Sequence, residues 1–189
     1  MGQGTNSSNV TTAKPKVGGA IYRAKLSTAL PTDAVSELSI GFESLGHVSD
    51  DGLTNGSTRD SQQIKAWGGA VVDESQTSFA DTFKFKLIEA TNTTVLKTVF
   101  GDKNVTGDLA TGISVTVNSE EQEEFSWVVD TILKNNTLKR MVIPKGKVTN
   151  VADIVYADGK VIGYEITITA FLDDNGNNHY EYIKGKEEQ

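Results

Sequence analysis

From Phe83 onward the chain repeatedly places apolar side chains at every second position. Phe83, Phe85 and Leu87 alternate with Lys84, Lys86 and Ile88, and Ile113, Val115 and Val117 repeat the pattern. Phe125, Trp127 and Val129 take one side of a further run while Glu124, Ser126 and Asp130 take the other; Tyr164, Ile166 and Ile168 follow. Successive side chains of a strand point to opposite faces, so this period selects half-buried β-strands over amphipathic helices. Two more strands are expected around Leu138–Ile143 and Val148–Tyr156, and HYEYI supplies the last. Turns fall at Pro31-Thr32-Asp33, at Ala157-Asp158-Gly159-Lys160 and at Asp173-Asp174-Asn175-Gly176. Val17, Ile21 and Leu26 suggest a first strand.

Only ATNTTVLKTVFGD carries a helical signal. Thr91 or Asn92 can cap its start, Val95, Leu96 and Val99 form an apolar stripe, and Gly101 ends it. So short a helix is unstable alone and has to pack against a sheet. The expected fold is mainly β, a β-sandwich or partly closed barrel of about eight to ten strands with one flanking α-helix.

One segment lies outside this pattern. VSDDGLTNGSTRDSQQIKAWGG, Val48 to Gly69, is polar throughout, with charges of both signs and a single large side chain, Trp67, near its end. Structureless loops longer than about 15 residues are uncommon in compact domains unless they have a role. The segment is expected to be a long inter-strand loop, flexible in the free subunit, that docks on a neighbour. Asp50, Asp51, Leu53, Thr54, Arg59 and Trp67 are its candidate contacts. Trp67 suits either core or interface equally; Trp127, inside an alternating face, is expected in the core.

A length of 189 residues allows one domain with a full core. The division expected is a flexible N-terminal arm over 1–16, a single β domain over 17–183 with the docking loop at 48–66, and a solvated tail over 184–189. No run is apolar for the ~18 residues a membrane span needs, and the N-terminus lacks the order of a signal peptide. The chain is therefore expected to remain in the cytoplasm where it is made. Its lack of cysteine excludes disulfides, thiolate catalysis and Cys-based metal sites. The net charge of −7 argues against a nucleic-acid binder, which needs Lys and Arg on phosphates. It does suit a surface that DNA passes without sticking.

The catalytic and metal readings are weak. Asp173–Asn178 has Asn178 and Lys184 where a calcium loop needs Gly and Glu, so a hairpin turn is expected there. Glu120, Glu121, Glu123 and Glu124 form an acidic cluster that reads first as a solvated strand entry. In a ring, Glu121, Glu123 and Glu124 could face a channel. His47 and His179 are the only histidines, too few for a His-rich metal site, and no G-x-S-x-G elbow occurs. The Asn-x-Ser/Thr triplets at Asn6, Asn9, Asn55, Asn92, Asn104 and Asn135 read as by-products of Asn and Thr abundance. No enzyme, cofactor or metal is expected.

TTAKPKVGGAIYRA, SLGHVSDDGL, IKAWGG, DTFKFKLIEA with TVLKTVFGD, EEFSWVVD, KRMVIPKGKVT and GYEITITA occur in this order across roughly Thr11 to Leu172. In order and spacing they resemble the major tail protein, or tail tube protein, of long-tailed bacteriophages, which is similar to the type VI secretion tube protein. The resemblance implies a structural virion protein that self-assembles into stacked hexameric rings, a conduit for genome delivery in the tail. Its implied partners are itself and the tape measure, terminator and tail-tip or baseplate proteins. Double-stranded DNA would pass without specific binding, and nothing would insert in a membrane. Assembly in the host cytoplasm and a non-contractile tail are further expectations. Deleting Asp51–Gln62 is expected to leave a folded monomer unable to form tubes. The alternatives are a carbohydrate-binding or adhesion β-sandwich, disfavoured by an aromatic content of 7%, and a hydrolase built on Glu120–Glu124.

Overall fold

The computed structural model describes residues 4–16 and 18–185. Among them are eleven strands and one α-helix: β1 Lys14–Pro15, β2 Ile21–Ala24, β3 Glu43–Ser44, β4 Val48–Lys65, β5 Val71–Leu87, α1 Thr93–Phe100, β6 Val105–Thr106, β7 Ser114–Val115, β8 Glu124–Ile132, β9 Leu138–Val151, β10 Tyr164–Ala170 and β11 Tyr180–Lys184. Nine of the strands form one antiparallel sheet in the order β3-β2-β8-β9-β10-β5-β4, with β1 beside β8 and β11 beside β9.

The alternation explains this sheet directly. Phe83, Phe85 and Leu87 of β5, Tyr164, Ile166 and Ile168 of β10, and Phe125, Trp127 and Val129 of β8 all face one core. Trp127 is fully buried and donates from Nε1 to the Gly146 carbonyl at 3.0 Å. A Cβ at Gly146 would sit 3.1 Å from the Trp127 ring and 2.9 Å from Ile168, so glycine is what lets β9 approach. The helix closes the core with Val95, Leu96 and Val99, each burial worth about 1.5–3 kcal/mol. Asn92 caps it, accepting from the Thr94 amide at 2.9 Å, and Gly101 ends it as expected.

The sheet curls until its two ends nearly meet. β3 and β4 are separated by Leu45–His47 alone, and these residues bridge the gap: Leu45 donates to the Ile21 carbonyl and Ile88 to that of His47. Glu89 fastens the junction to the helix start, accepting from the His47 amide and the Asn92 side chain at 2.8 Å each. No ladder completes the circle, so the sheet is not closed into a barrel.

Several expected boundaries shift. The run around Leu138–Ile143 and the first residues of the one expected at Val148–Tyr156 form a single strand, β9, which ends at Val151; they join because the stretch between them stays paired with β8 and β10 despite its polarity. The run at Ile113–Val117 shortens to Ser114–Val115, whose neighbour β6 offers only two residues. Leu26 lies beyond β2 and is exposed, and Val17 lies outside the described residues. The N-terminal arm is tied down in part, with Lys14 and Pro15 paired to Ile132 and Thr131. Of the expected C-terminal tail, Lys184 ends β11, and residues 186–189 lie outside the described residues.

The largest correction concerns the polar segment. Val48–Lys65 is not a loop but strand β4, paired with β5 out to the Lys65–Val71 pair. Main-chain hydrogen bonds hold this hairpin, and they need no apolar residue. Its side chains are polar toward both faces, so no hydropathy period could reveal it.

Candidate assembly surface

β4 and β5 begin in the body and end outside it. Leu53 packs against the core, and Asn55 pairs with the buried Phe83. Past the Ser57–Asp81 pair every residue from 57 to 80 is exposed on both strands. At about 3.4 Å per residue the projecting ribbon reaches roughly 30 Å. The turn Ala66–Ala70 closes it, with Gly68 and Gly69 at φ of 104° and 90° and Ala66 bonded to Ala70 at 2.8 Å. Register shifts at Asp60/Ser61 and Ile64/Lys65 mark bulges that twist the ribbon.

The six candidate docking residues divide along this arm. Asp50 and Asp51 lie in the wide irregularity between the Val48 and Leu53 pairs, at the body rather than on the arm. Leu53 is a core contact, and Thr54 beside it is exposed. Arg59 is on the arm, its guanidinium 4.4 Å from the ring centre of Phe79, which continues the Phe83 and Phe85 face beyond the body. Trp67 is at the tip, wholly exposed, with Ile64, Val71 and Val72 exposed nearby. Of its two readings, core and interface, this exposure excludes the first.

At the arm's root sits a cluster that the sequence did not reveal. The Asp81 carboxylate, 1% exposed, accepts from Asn55 Nδ2 at 2.9 Å and lies 2.5 Å from His179 Nδ1. His179 also meets Phe83 edge-on, ring centres 5.2 Å apart. A buried carboxylate needs such partners. These two residues are 98 positions apart, so no local pattern could link them.

The acidic stretch does not form a bare negative patch. Glu121 pairs with Lys147, whose hydrogen bond holds its carboxyl below the usual range. Glu123 meets Lys25 at 3.0 Å and Lys103 at 3.7 Å, and Glu124 meets Lys145 at 3.1 Å. Asp173 is occupied by its own turn, accepting from Tyr180 Oη at 2.6 Å and from the Asn175 and Asn177 amides at 2.9 Å each. The Tyr180 bond and these amides hold its carboxyl below the usual range. Among the described residues no group of three His, Cys, Asp or Glu is placed to hold a metal, and no helix is long and apolar enough to cross a membrane. A surface cavity of about 520 Å³ lies between Thr12, Lys14 and the Ile132–Asn136 turn, and none of the glutamates lines it.

The surface that stands out is thus a long, two-edged ribbon with an apolar tip on a curled sheet carrying one helix. Residues 3–188 match the family of phage tail tube proteins. The chain belongs to that family. Its role is accordingly structural, in the tube of a phage tail. No curated protein matches the chain. For a tail tube protein the prominence of an arm with no cover of its own makes sense, because a tube is built from contacts between copies.

Proposed function

We propose that this tail tube protein assembles with itself into stacked hexameric rings, the conduit for genome delivery, with the β4–β5 arm as a principal contact between copies. One observation carries this reading: residues 57–80 form a paired ribbon in which every residue is exposed. An isolated two-stranded hairpin is marginal in water, so such a ribbon gains most of its order from a partner. A head-to-tail contact closes within a ring and stays open along an axis, which suits both levels of the assembly. Six copies at −7 would place about −42 on each ring, favouring passage of DNA without binding. Glu121, Glu123 and Glu124 contribute little net charge to a lumen while their lysines remain paired.

The tape measure, terminator and tail-tip or baseplate proteins are the further partners of this reading, with assembly in the host cytoplasm and residence in the virion tail. Membership of a structural family favours it over a carbohydrate-binding module and over a hydrolase on Glu120–Glu124.

The test is to remove the arm. Deleting Asp51–Gln62 would take Leu53 from the core and Asn55 from Asp81, so the separable unit is the ribbon itself. Replacing residues 58–80 with an Asn-Gly turn after Ser57 leaves every core residue in place. Its unfolding midpoint should stay within about 4 °C of the parent, the shift that one kcal/mol produces in a domain this size. It should form no tubes; tubes of normal length would remove the arm from the mechanism.

A further inference from the structure

The body has two unlike ends. β5 and β10 run antiparallel, with Asp81 opposite Ala170 and Leu87 opposite Tyr164. The arm leaves at the Asp81–Ala170 end. Tyr164 opens β10, so the link from β9, residues 152–163, lies at the other end. Two of its residues, Ile154 and Ile162, pack against the core, and Ala152 donates to the Glu165 carbonyl at 2.9 Å. Between these anchors the chain turns, with the Lys160 amide on the Ala157 carbonyl at 3.3 Å. The anchors turn Val155, Tyr156 and Val161 outward, 56%, 72% and 68% exposed. Single exposed apolar residues are ordinary, but three within seven positions on an anchored link mark a contact surface.

The arm's tip has the same character. Over residues 63–72, Ile64, Trp67, Val71 and Val72 are exposed and Lys65 is the one charge. Within one chain the two surfaces are kept apart. From Leu87, level with the start of β10, to Val71 at the tip, β5 is a continuous strand of 17 residues. At about 3.4 Å per residue it spans roughly 55 Å, which carries the tip away from its own link.

We propose that the tip of the arm, residues 63–72, docks on the 152–163 link of a second copy of this chain; this rests on the tube reading above and names the surface that accepts the arm. In a head-to-tail stack the end from which the arm projects faces the end that carries the link, so the two meet without any rearrangement of the body. Trp67 is the natural anchor, a large rigid side chain set against Val155, Tyr156 and Val161. Charge agrees with this. The link carries exposed Asp153 and Asp158 against Lys160, a net negative charge, and the tip brings the single positive Lys65. Each copy donates one tip and accepts one, so the contact propagates.

The chain has no cysteine, so single thiols report cleanly. Ala66→Cys and Ala157→Cys replace small exposed side chains and should leave the fold intact. The two variants are mixed, concentrated until they assemble, and treated with a short bis-maleimide. A covalent pair of chains, twice the 20.3 kDa subunit, is expected from the mixture. A chain carrying both substitutions, kept dilute, should show no internal link. Tubes without the mixed link would overturn the docking on 152–163 and leave the tube reading standing. An internal link in the dilute double variant would overturn it in favour of an arm folded on its own body. Tyr156→Ala gives a second readout: it should melt with the parent and raise the concentration needed for tubes about tenfold, the scale of an interface anchor. An unchanged threshold would remove the link as acceptor. A wild-type chain that never assembles would bring down the tube reading and this contact together.

Discussion

Arg140 is wholly buried and is the pin of the body's second face. It grips Asp130 with Nε at 2.7 Å and Nη2 at 2.9 Å, and its Nη1 donates to the carbonyls of Asp33 and Ser36 at 3.1 and 2.9 Å. The Asp130 hydrogen bond pushes its pKa further up, against the effect of burial. Arg140→Ala leaves the Asp130 charge buried with only Lys16, at 3.4 Å, beside it. The expected loss is about 3–5 kcal/mol in urea unfolding; a loss below 1 kcal/mol would mean that the 33–36 segment is held by other contacts. Asp102 behaves differently. Burial raises its pKa, but the Lys25 hydrogen bond and the nearby Arg23 outweigh this and hold it below the usual carboxylate range. The stabilisation is therefore present above the unfolded value of about 3.9 and lost as pH falls through the lower folded value. Thermal midpoints should drop below about pH 4, and Asp102→Asn should lower stability at neutral pH while flattening that drop. An unchanged acid profile in the variant would contradict this. At this scale the sequence is partly legible. Trp127 and the Asn92 cap follow from alternation and spacing, whereas Asp130 reads as a solvent-facing residue because the cover supplied by residues 33–36 comes from a loop more than a hundred positions from Arg140.

At the scale of elements, the strands with one apolar face and the single helix were readable because burial writes a period into sequence. β4 was not, since it buries almost nothing: its partners are main-chain groups, and its Ser, Thr, Asn and Gln look the same in a loop or in a ribbon. The same absence of burial makes a dynamic prediction. In dilute subunits, backbone amides of residues 57–80 should exchange with deuterium far faster than those of β8 and β10, whose strands are buried. In assembled material the arm amides should become protected. Equal protection in both forms would mean that the arm is ordered without a partner.

For the whole molecule, the curled sheet is a nearly complete unit with one reaching feature, the arm. A net charge of −7 opposes association of copies at low salt, and screening relieves it within a Debye length of about 8 Å at physiological ionic strength. Assembly should therefore strengthen with both concentration and salt. The most direct measurement is negative-stain electron microscopy of the purified chain, dilute and concentrated, at low and physiological salt. The account predicts single subunits in the first condition and hollow tubes of uniform width in the last, seeded where necessary by a tail-tip complex. Subunits that stay single at high concentration and physiological salt, even with that seed present, would contradict it.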